Sequence, residues 1–369
     1  MRAAAVTERV SRRRRRRSQR GTRAPARCIS EGGPTTVSHK VLITAHIFDE
    51  GGPEAGEVLT DAGLEIVYPE VPRPWGEDEL VECLVGVSGV VAAPNTFTDA
   101  VFARSPEVKV VSRWGVGYDT IDVEAATHHG VVVATTPGTL HDSVADLVFG
   151  LMLSVARNLS LSDRQVRQGT WNYRTGQLVW GKRLGIVGLG TIGKAVARRA
   201  RGFNMDVVAC DVVHAEQVAG ELGVRYVSLD ELLSTADFVT LHANLTEDSV
   251  GMIDEAALRR MKSTACLINA GRGALVDQPA LVKALQDGAI AGAGLDVFEE
   301  EPLPKGHPLT QLDNCVLTPH CGSFSIETIR VVSRLAALNV AQVLSGERCP
   351  CALNPEVYDS PALRAPLRE

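Results

Sequence analysis

Arg183-Leu-Gly-Ile-Val-Gly-Leu-Gly-Thr-Ile-Gly193 is the stretch from which the rest of the 369-residue chain can be read. It predicts a strand over 184–187 that runs into Gly188-x-Gly190-x-x-Gly193 and then a helix over 192–201. Each glycine has a task. Gly188 permits the tight turn, Gly190 lets the backbone approach a pyrophosphate with no Cβ in the way, and Gly193 lets helix and strand pack closely. The helix N-terminus offers free N–H groups and about half a positive charge to an anion. Glycine turns are common, so the context carries the weight. A second strand is expected over 207–210, with Asp211 at its end, 18 residues after Gly193. A carboxylate there accepts hydrogen bonds from an adenosine ribose diol and repels a 2′-phosphate. No basic residue follows it immediately, so the pattern predicts NAD rather than NADP.

Outward from this turn, short strands alternate with helices. Strands are expected over 41–45, 64–67, 87–92 and 109–112, with helical stretches such as 77–84 and 100–105 between them. A long helix rich in Ala, Leu and Val follows over 143–158, and a second alternation runs from 183 to about 319. This predicts an α/β protein of two doubly wound parallel-sheet units, the second inserted within the first. The expected division is a tail over 1–38, an outer unit from 39–140 and 322–369, and a nucleotide unit over 141–321.

The composition, 45% hydrophobic and 22% charged, is that of an ordinary globular protein, and no apolar run reaches the ~18 residues of a membrane-spanning helix. Eight cysteines are scattered with no C-x-x-C pair, which argues against a disulfide scaffold or zinc cluster and for a reducing, cytoplasmic setting. No metal is expected. The net charge of −6 hides an asymmetry: residues 1–38 hold eleven Arg, six of them consecutive from Arg12 to Arg17, against Glu8 and Glu31. The tail is therefore +9 and the remaining body −15. So acidic a body repels a phosphate backbone, and nucleic acid is not expected as its partner. The tail has little that is apolar to bury and is expected to be disordered. It lacks the apolar segment of a secretory signal, and its readings range from a nucleic-acid or membrane contact through an organellar transit peptide to a solvated extension.

Hydride transfer to or from a nicotinamide needs an acid/base and a cation for the substrate oxygens. Arg272 stands between two glycines after a strand expected over 265–269, and its planar fork suits a carboxylate. His320 follows the last strand, over 316–318, in Thr318-Pro-His320, well placed for a crevice at the carboxyl ends of a parallel sheet. His242 is a rival at the end of the 238–241 strand, while His128 and His129 read as surface residues at a helix end. Cys321, beside His320, raises the reading of a Cys–His nucleophile pair. The acidic run Glu299-Glu-Glu301 offers three carboxylates, and residue type alone does not choose among them.

Together these segments resemble the D-isomer-specific 2-hydroxyacid dehydrogenases over nearly all of residues 40–350. The motifs that carry the likeness are Arg113-Trp-Gly-Val-Gly-Tyr-Asp-Thr-Ile-Asp122, Val144-Ala-Asp146, the Gly188–Gly193 turn with Asp211, Asn269-Ala-Gly-Arg-Gly273, Asp296-Val-Phe-Glu-Glu-Glu-Pro302 and Thr318-Pro-His320. The resemblance implies a Rossmann NAD domain inserted into a flavodoxin-like substrate domain, and a homodimer built on the former. It implies that His320 is the acid/base and that Glu301 pairs with it, stabilising the imidazolium and fixing the ring tautomer. It also implies that Arg272 binds substrate, with the backbone of Gly115, Val116 and Gly117 around the substrate carboxylate. Asp296 is implied to bind the nicotinamide carboxamide. Thr191, Ile192, Ala270, Gly271, Arg272, His320 and the Cys321–Gly322–Ser323 segment are implied as further cofactor contacts. The dimer contacts are expected from the 143–158 helix and the aromatic stretch from Trp171 to Trp180.

Within the family the chain is most similar to the short phosphoglycerate dehydrogenases, with two departures. Where those enzymes place arginine for the substrate phosphate, this chain has Ala92-Ala-Pro-Asn95, with Arg73, Arg113 and Arg174 as possible substitutes. It also has Ala243-Asn244 where the family usually carries a proline near the adenine site. The expected reaction is interconversion of a D-2-hydroxy acid and its 2-keto acid, with 3-phosphoglycerate or hydroxypyruvate and glyoxylate as candidates. The alternatives are formate or phosphite oxidation on the same scaffold, and a non-enzymatic, NAD-sensing corepressor.

Overall fold

The computed structural model describes residues 39–69 and 75–368. The Arg-rich tail and Arg73 lie outside these residues. Two all-parallel sheets organise the chain. The first has strands β1 (Lys40–Ile43), β2 (Glu65–Val67), β3 (Val87–Ala92), β4 (Val110–Arg113) and β5 (Val132–Ala134), in the order β2-β1-β3-β4-β5. That is the flavodoxin-like order. Its strands read as near-continuous apolar runs (every residue of β3 and β5 is buried) because helices cover both faces. The helix Ile326–Leu344 returns the chain to this sheet. It is capped by the Ser325 hydroxyl accepting from the Thr328 N–H, and it buries Ile329, Val332, Ala336, Val340 and Val343 in the same core as Val41, Val91 and Val110.

The second sheet holds β6 (Arg183–Val187), β7 (Asp206–Cys210), β8 (Val224–Tyr226), β9 (Phe238–Leu241), β10 (Cys266–Asn269), β11 (Gly292–Leu295) and β12 (Cys315–Leu317), in the order β12-β11-β10-β9-β6-β7-β8. This is the Rossmann order extended by one strand, and the order reverses at β6/β9. The helix His141–Ala156 crosses one face. Its Val144, Val148, Leu151 and Met152 pack into the core formed by Leu184, Ile186 and Ile268.

Some expectations shift. The long helix ends at Ala156 rather than 158, because Asn158 takes a left-handed φ of 53° and a new helix, Leu159–Arg167, starts after it. β5 and β8, three residues each, were not expected. Among the described residues no single helix is long and apolar enough to cross a membrane.

Candidate active site

The glycine turn sits where the second sheet reverses its order. Gly188 has φ +93°, and its position abuts the backbone of His242 and Ala243, so neither the torsion nor the space admits a side chain. Its N–H donates to the Cys210 carbonyl at 2.8 Å. Asp211 braces the turn: its carboxylate accepts from the Leu189 N–H at 2.6 Å and the Val213 N–H at 3.0 Å. The helix Thr191–Gly202 begins here, with Thr191 and Ile192 as its first residues and Gly193 packed against the Gly188 carbonyl. The Lys194 N–H bonds to the Gly190 carbonyl at 3.0 Å, so the N–H groups ahead of it are left for an anion. Nothing lies within 4 Å of where a Gly190 Cβ would stand. The residues therefore fit a dinucleotide, whose pyrophosphate they would hold.

His320 follows β12, four strand steps from β6 and on the same carboxyl edge, about 19 Å away at the usual strand spacing. It adopts φ +51°, and its N–H donates to the Asp296 carbonyl at 2.8 Å. Its Nδ1 lies 2.6 Å from Glu301 Oε2, while Glu301 Oε1 accepts from the Phe298 N–H at 3.0 Å. Burial pushes the Glu301 carboxyl up, but the bond to His320, the charge of His320, the Phe298 N–H and the Arg272 charge outweigh it and hold the group below the usual carboxylate range. Of the neighbouring acids, Glu299 is turned away to accept from the Gln278 N–H at 3.0 Å.

Asp296 is 1% exposed. Its Oδ1 accepts from the Thr318 hydroxyl at 2.6 Å and the Cys321 N–H at 2.9 Å, and its Oδ2 from the Gly322 N–H at 2.9 Å. It thus anchors the segment on both sides of His320. Burial, and then the Asp296 charge, pushes the Cys321 thiol up to about 11, so it is not a thiolate near neutrality, and the Cys–His nucleophile reading loses its nucleophile.

Arg272 follows β10 in a turn shaped by the buried Asn269, whose Oδ1 accepts from the Gly271 N–H and whose Nδ2 donates to the Arg272 carbonyl. Ala270 and Gly271 form the half-buried lip beside it. Arg272 Nε donates to Asp119 Oδ2 at 2.6 Å. Across from it, after β4, lies the Gly115–Gly117 turn. The Gly115 N–H is spent on the Thr136 hydroxyl at 3.1 Å, but among the described residues the Val116 and Gly117 N–H groups have no partner. Sequence reasoning named neither Asp119 nor the aromatic cluster beside this turn, in which the Phe324 ring stands 6.1 Å from both His46 and Trp114.

His242 is set apart from this group. Its Nε2 lies 2.9 Å from the Thr240 hydroxyl, its Nδ1 has no partner, and burial lowers it to about 4. His128 is exposed at the end of its helix, and His129 is tied to Asp99 at 2.9 Å. Among the described residues no group of three or more His, Cys, Asp or Glu is placed to hold a metal ion.

The profile of the D-isomer specific 2-hydroxyacid dehydrogenase NAD-binding domain matches residues 149–322. A glyoxylate reductase of Korarchaeum cryptofilum is 42% identical over 325 residues, covering 86% of this chain and 96% of that protein. The chain belongs to the D-isomer-specific 2-hydroxyacid dehydrogenase family. Another glyoxylate reductase, of Pyrococcus furiosus, is 41% identical over 328 residues, covering 86% of this chain and 96% of that protein. Among solved structures, a Thermus thermophilus protein superposes with a TM-score of 0.78 at 37% identity, covering 85% of this chain and 99% of that one. As a member of this family the protein is an NAD-dependent D-2-hydroxyacid dehydrogenase, acting on a small 2-hydroxy or 2-keto acid.

Proposed function

We propose that the protein reduces small 2-keto acids, glyoxylate and hydroxypyruvate first among them, to D-2-hydroxy acids, with His320, Glu301 and Arg272 as the catalytic residues. NADH, when bound along the Gly188–Gly193 turn, supplies the hydride. Arg272 and the unpartnered N–H groups of Val116 and Gly117 hold the substrate carboxylate and polarise its carbonyl. His320, protonated and paired through Nδ1 with Glu301, donates from Nε2 to the carbonyl oxygen as it gains charge. In the oxidation direction the neutral ring takes that proton back. The observation that carries this reading is the contact of His320 Nδ1 with Glu301 Oε2 at 2.6 Å.

The outer turn supports an unphosphorylated substrate. Ala92, Ala93 and Asn95 are buried, with the Asn95 side chain accepting from the Thr44 hydroxyl at 2.7 Å. Arg113 donates to the Gly117 and Ala92 carbonyls, and Arg174 lies 3.9 Å from Asp313. Neither substitute among the described residues is thus directed at a phosphate. The names of the relatives at about 40% identity agree with this choice. A screen of NADH oxidation across glyoxylate, hydroxypyruvate, pyruvate, branched keto acids and phosphohydroxypyruvate tests it, with the first two expected to give the highest kcat/KM. Turnover confined to phosphohydroxypyruvate, or to formate or phosphite with NAD, would replace this reading. Tight NADH binding with no turnover at all would point to a sensor.

The same reading includes a cytoplasmic homodimer. Support for the dimer is the exposure of Trp171 (75%), Tyr173 (92%), Leu178 and Trp180 on one segment. The described cysteines are all free thiols, which suits a reducing compartment.

A further inference from the structure

The function proposed above uses the Gly115–Gly117 turn but leaves Asp119, two residues further on, without a task. Asp119 belongs to the first sheet's β4 connection and Arg272 to the end of β10 in the second, 153 residues away, yet Nε and Oδ2 are 2.6 Å apart. Two other contacts fix the guanidinium. Its Nη1 donates to the Gly271 carbonyl at 2.9 Å, and its Nη2 abuts the space where a Gly117 Cβ would stand. Arg113 in turn holds the turn down, donating to the Gly117 carbonyl at 2.9 Å. Of the five guanidinium N–H bonds, Asp119 takes the one on Nε and Gly271 one on Nη1, which leaves three on the Nη edge. That edge lies on the side of Gly117, whose N–H, like that of Val116, is unpartnered among the described residues.

We propose that Asp119 is a positioning residue for keto-acid reduction: by binding Nε it directs the Nη edge of Arg272 toward the substrate carboxylate and joins the two lobes' halves of the anion site. This rests on the reading of Arg272 as the substrate arginine. A planar fork is re-aimed by rotation about Cγ–Cδ and Cδ–Nε unless Nε is held, and bidentate recognition requires the orientation to be set beforehand. Both side chains are partly exposed, 29% for Arg272 and 44% for Asp119, and an ion pair so exposed adds little to folding. Its consequence therefore lies in catalysis.

The test compares Asp119→Ala, Asp119→Asn and Arg272→Ala in the full chain, reading kcat and KM for glyoxylate, the Kd for NADH by fluorescence titration, and Tm. Asp119→Ala is expected to raise KM and lower kcat, with kcat/KM down roughly 10²-fold, the cost of a misplaced binding group. NADH Kd and Tm are expected to stay at wild-type values. Asp119→Asn keeps an oxygen for Nε and is expected to recover most of the loss. The double variant Asp119→Ala/Arg272→Ala is expected to be no worse than Arg272→Ala alone. Wild-type kinetics in Asp119→Ala alongside a crippled Arg272→Ala would overturn the positioning role while leaving the substrate arginine in place. Equal loss in Asp119→Asn and Asp119→Ala, or a fall in Tm matching the loss of activity, would also overturn it. Wild-type KM in Arg272→Ala would remove the reading beneath it.

Discussion

Glu301 and His320, nineteen residues apart, meet through Oε2 and Nδ1 at 2.6 Å, and the second carboxylate oxygen is held by the Phe298 N–H. The contact fixes which ring nitrogen faces the carboxylate, and in the proposed mechanism Nε2 is the one that meets the substrate. The acid is kept ionised despite its burial by His320, Phe298 and Arg272 acting together.

Replacing His320 by Asn removes the proton donor while keeping a polar side chain of similar reach. We expect kcat to fall by about 10²–10⁴-fold with NADH affinity near wild type, measured by steady-state NADH oxidation and by NADH fluorescence titration. Glu301→Gln keeps the shape but loses the charge, and kcat should fall at least roughly tenfold. Unchanged turnover in either variant would contradict the role assigned to the pair.

Asp211 braces Leu189, and we propose that it also faces the adenosine ribose. In Asp211→Ser the negative charge is gone. The ratio of NADPH to NADH kcat/KM should rise by about an order of magnitude or more, because like-charge juxtaposition costs several kcal/mol. The absolute NADH affinity should fall as well, since the turn loses its brace. Parallel kinetics with the two cofactors check this, and an unchanged ratio would place the ribose elsewhere.

Asp237 immediately precedes β9, its carboxylate accepting from the Arg183 N–H and from Lys262 Nζ, each at 2.9 Å. Burial pushes its carboxyl up, yet the Arg183 N–H and Lys262 outweigh this and hold it below the usual carboxylate range. A lowered folded value means the stabilisation is complete above the unfolded value of about 4 and fades as pH falls through the folded one. Asp237→Asn should therefore cost about 1 kcal/mol at about pH 7 and progressively less below about pH 4. Unfolding titrations at several pH values read the difference, and a gap that widens in acid would contradict the sign.

Met152 is fully buried in the second sheet's core on the helix His141–Ala156. Met152→Ala leaves a cavity between that helix and the sheet and should cost about 2–5 kcal/mol, read as a lower Tm with kcat well below that Tm nearly retained. A change under about 0.5 kcal/mol would mean that the helix does not pack as described.

The sequence made some of this legible and hid the rest for physical reasons. The Gly188–Gly193 turn and Asp211 could be read because their geometry is local: glycine spacing, a strand before and a helix after. β3 and β9 were read at their observed limits, since each is an apolar run bounded by turn residues. β5 and β8, three residues each, were not. Arg272 and His320 stood out as single residues at strand ends. The choice of Glu301 over Glu299 and Glu300 came only from the resemblance to a family. Which of three adjacent acids turns back on Phe298 and His320 is decided by the path of the chain, and composition holds no trace of it. Asp119 and Asp296 show the same limit, for their partners lie 153 and about 25 residues away, beyond any window of local pattern.

The most direct test is the rate of NADH oxidation with glyoxylate by the full chain and by its His320→Asn variant, assayed side by side with NADH binding to each. The proposed mechanism predicts turnover in the first, loss of at least about two orders of magnitude in the second, and equal NADH affinity. Equal turnover by both proteins would contradict it.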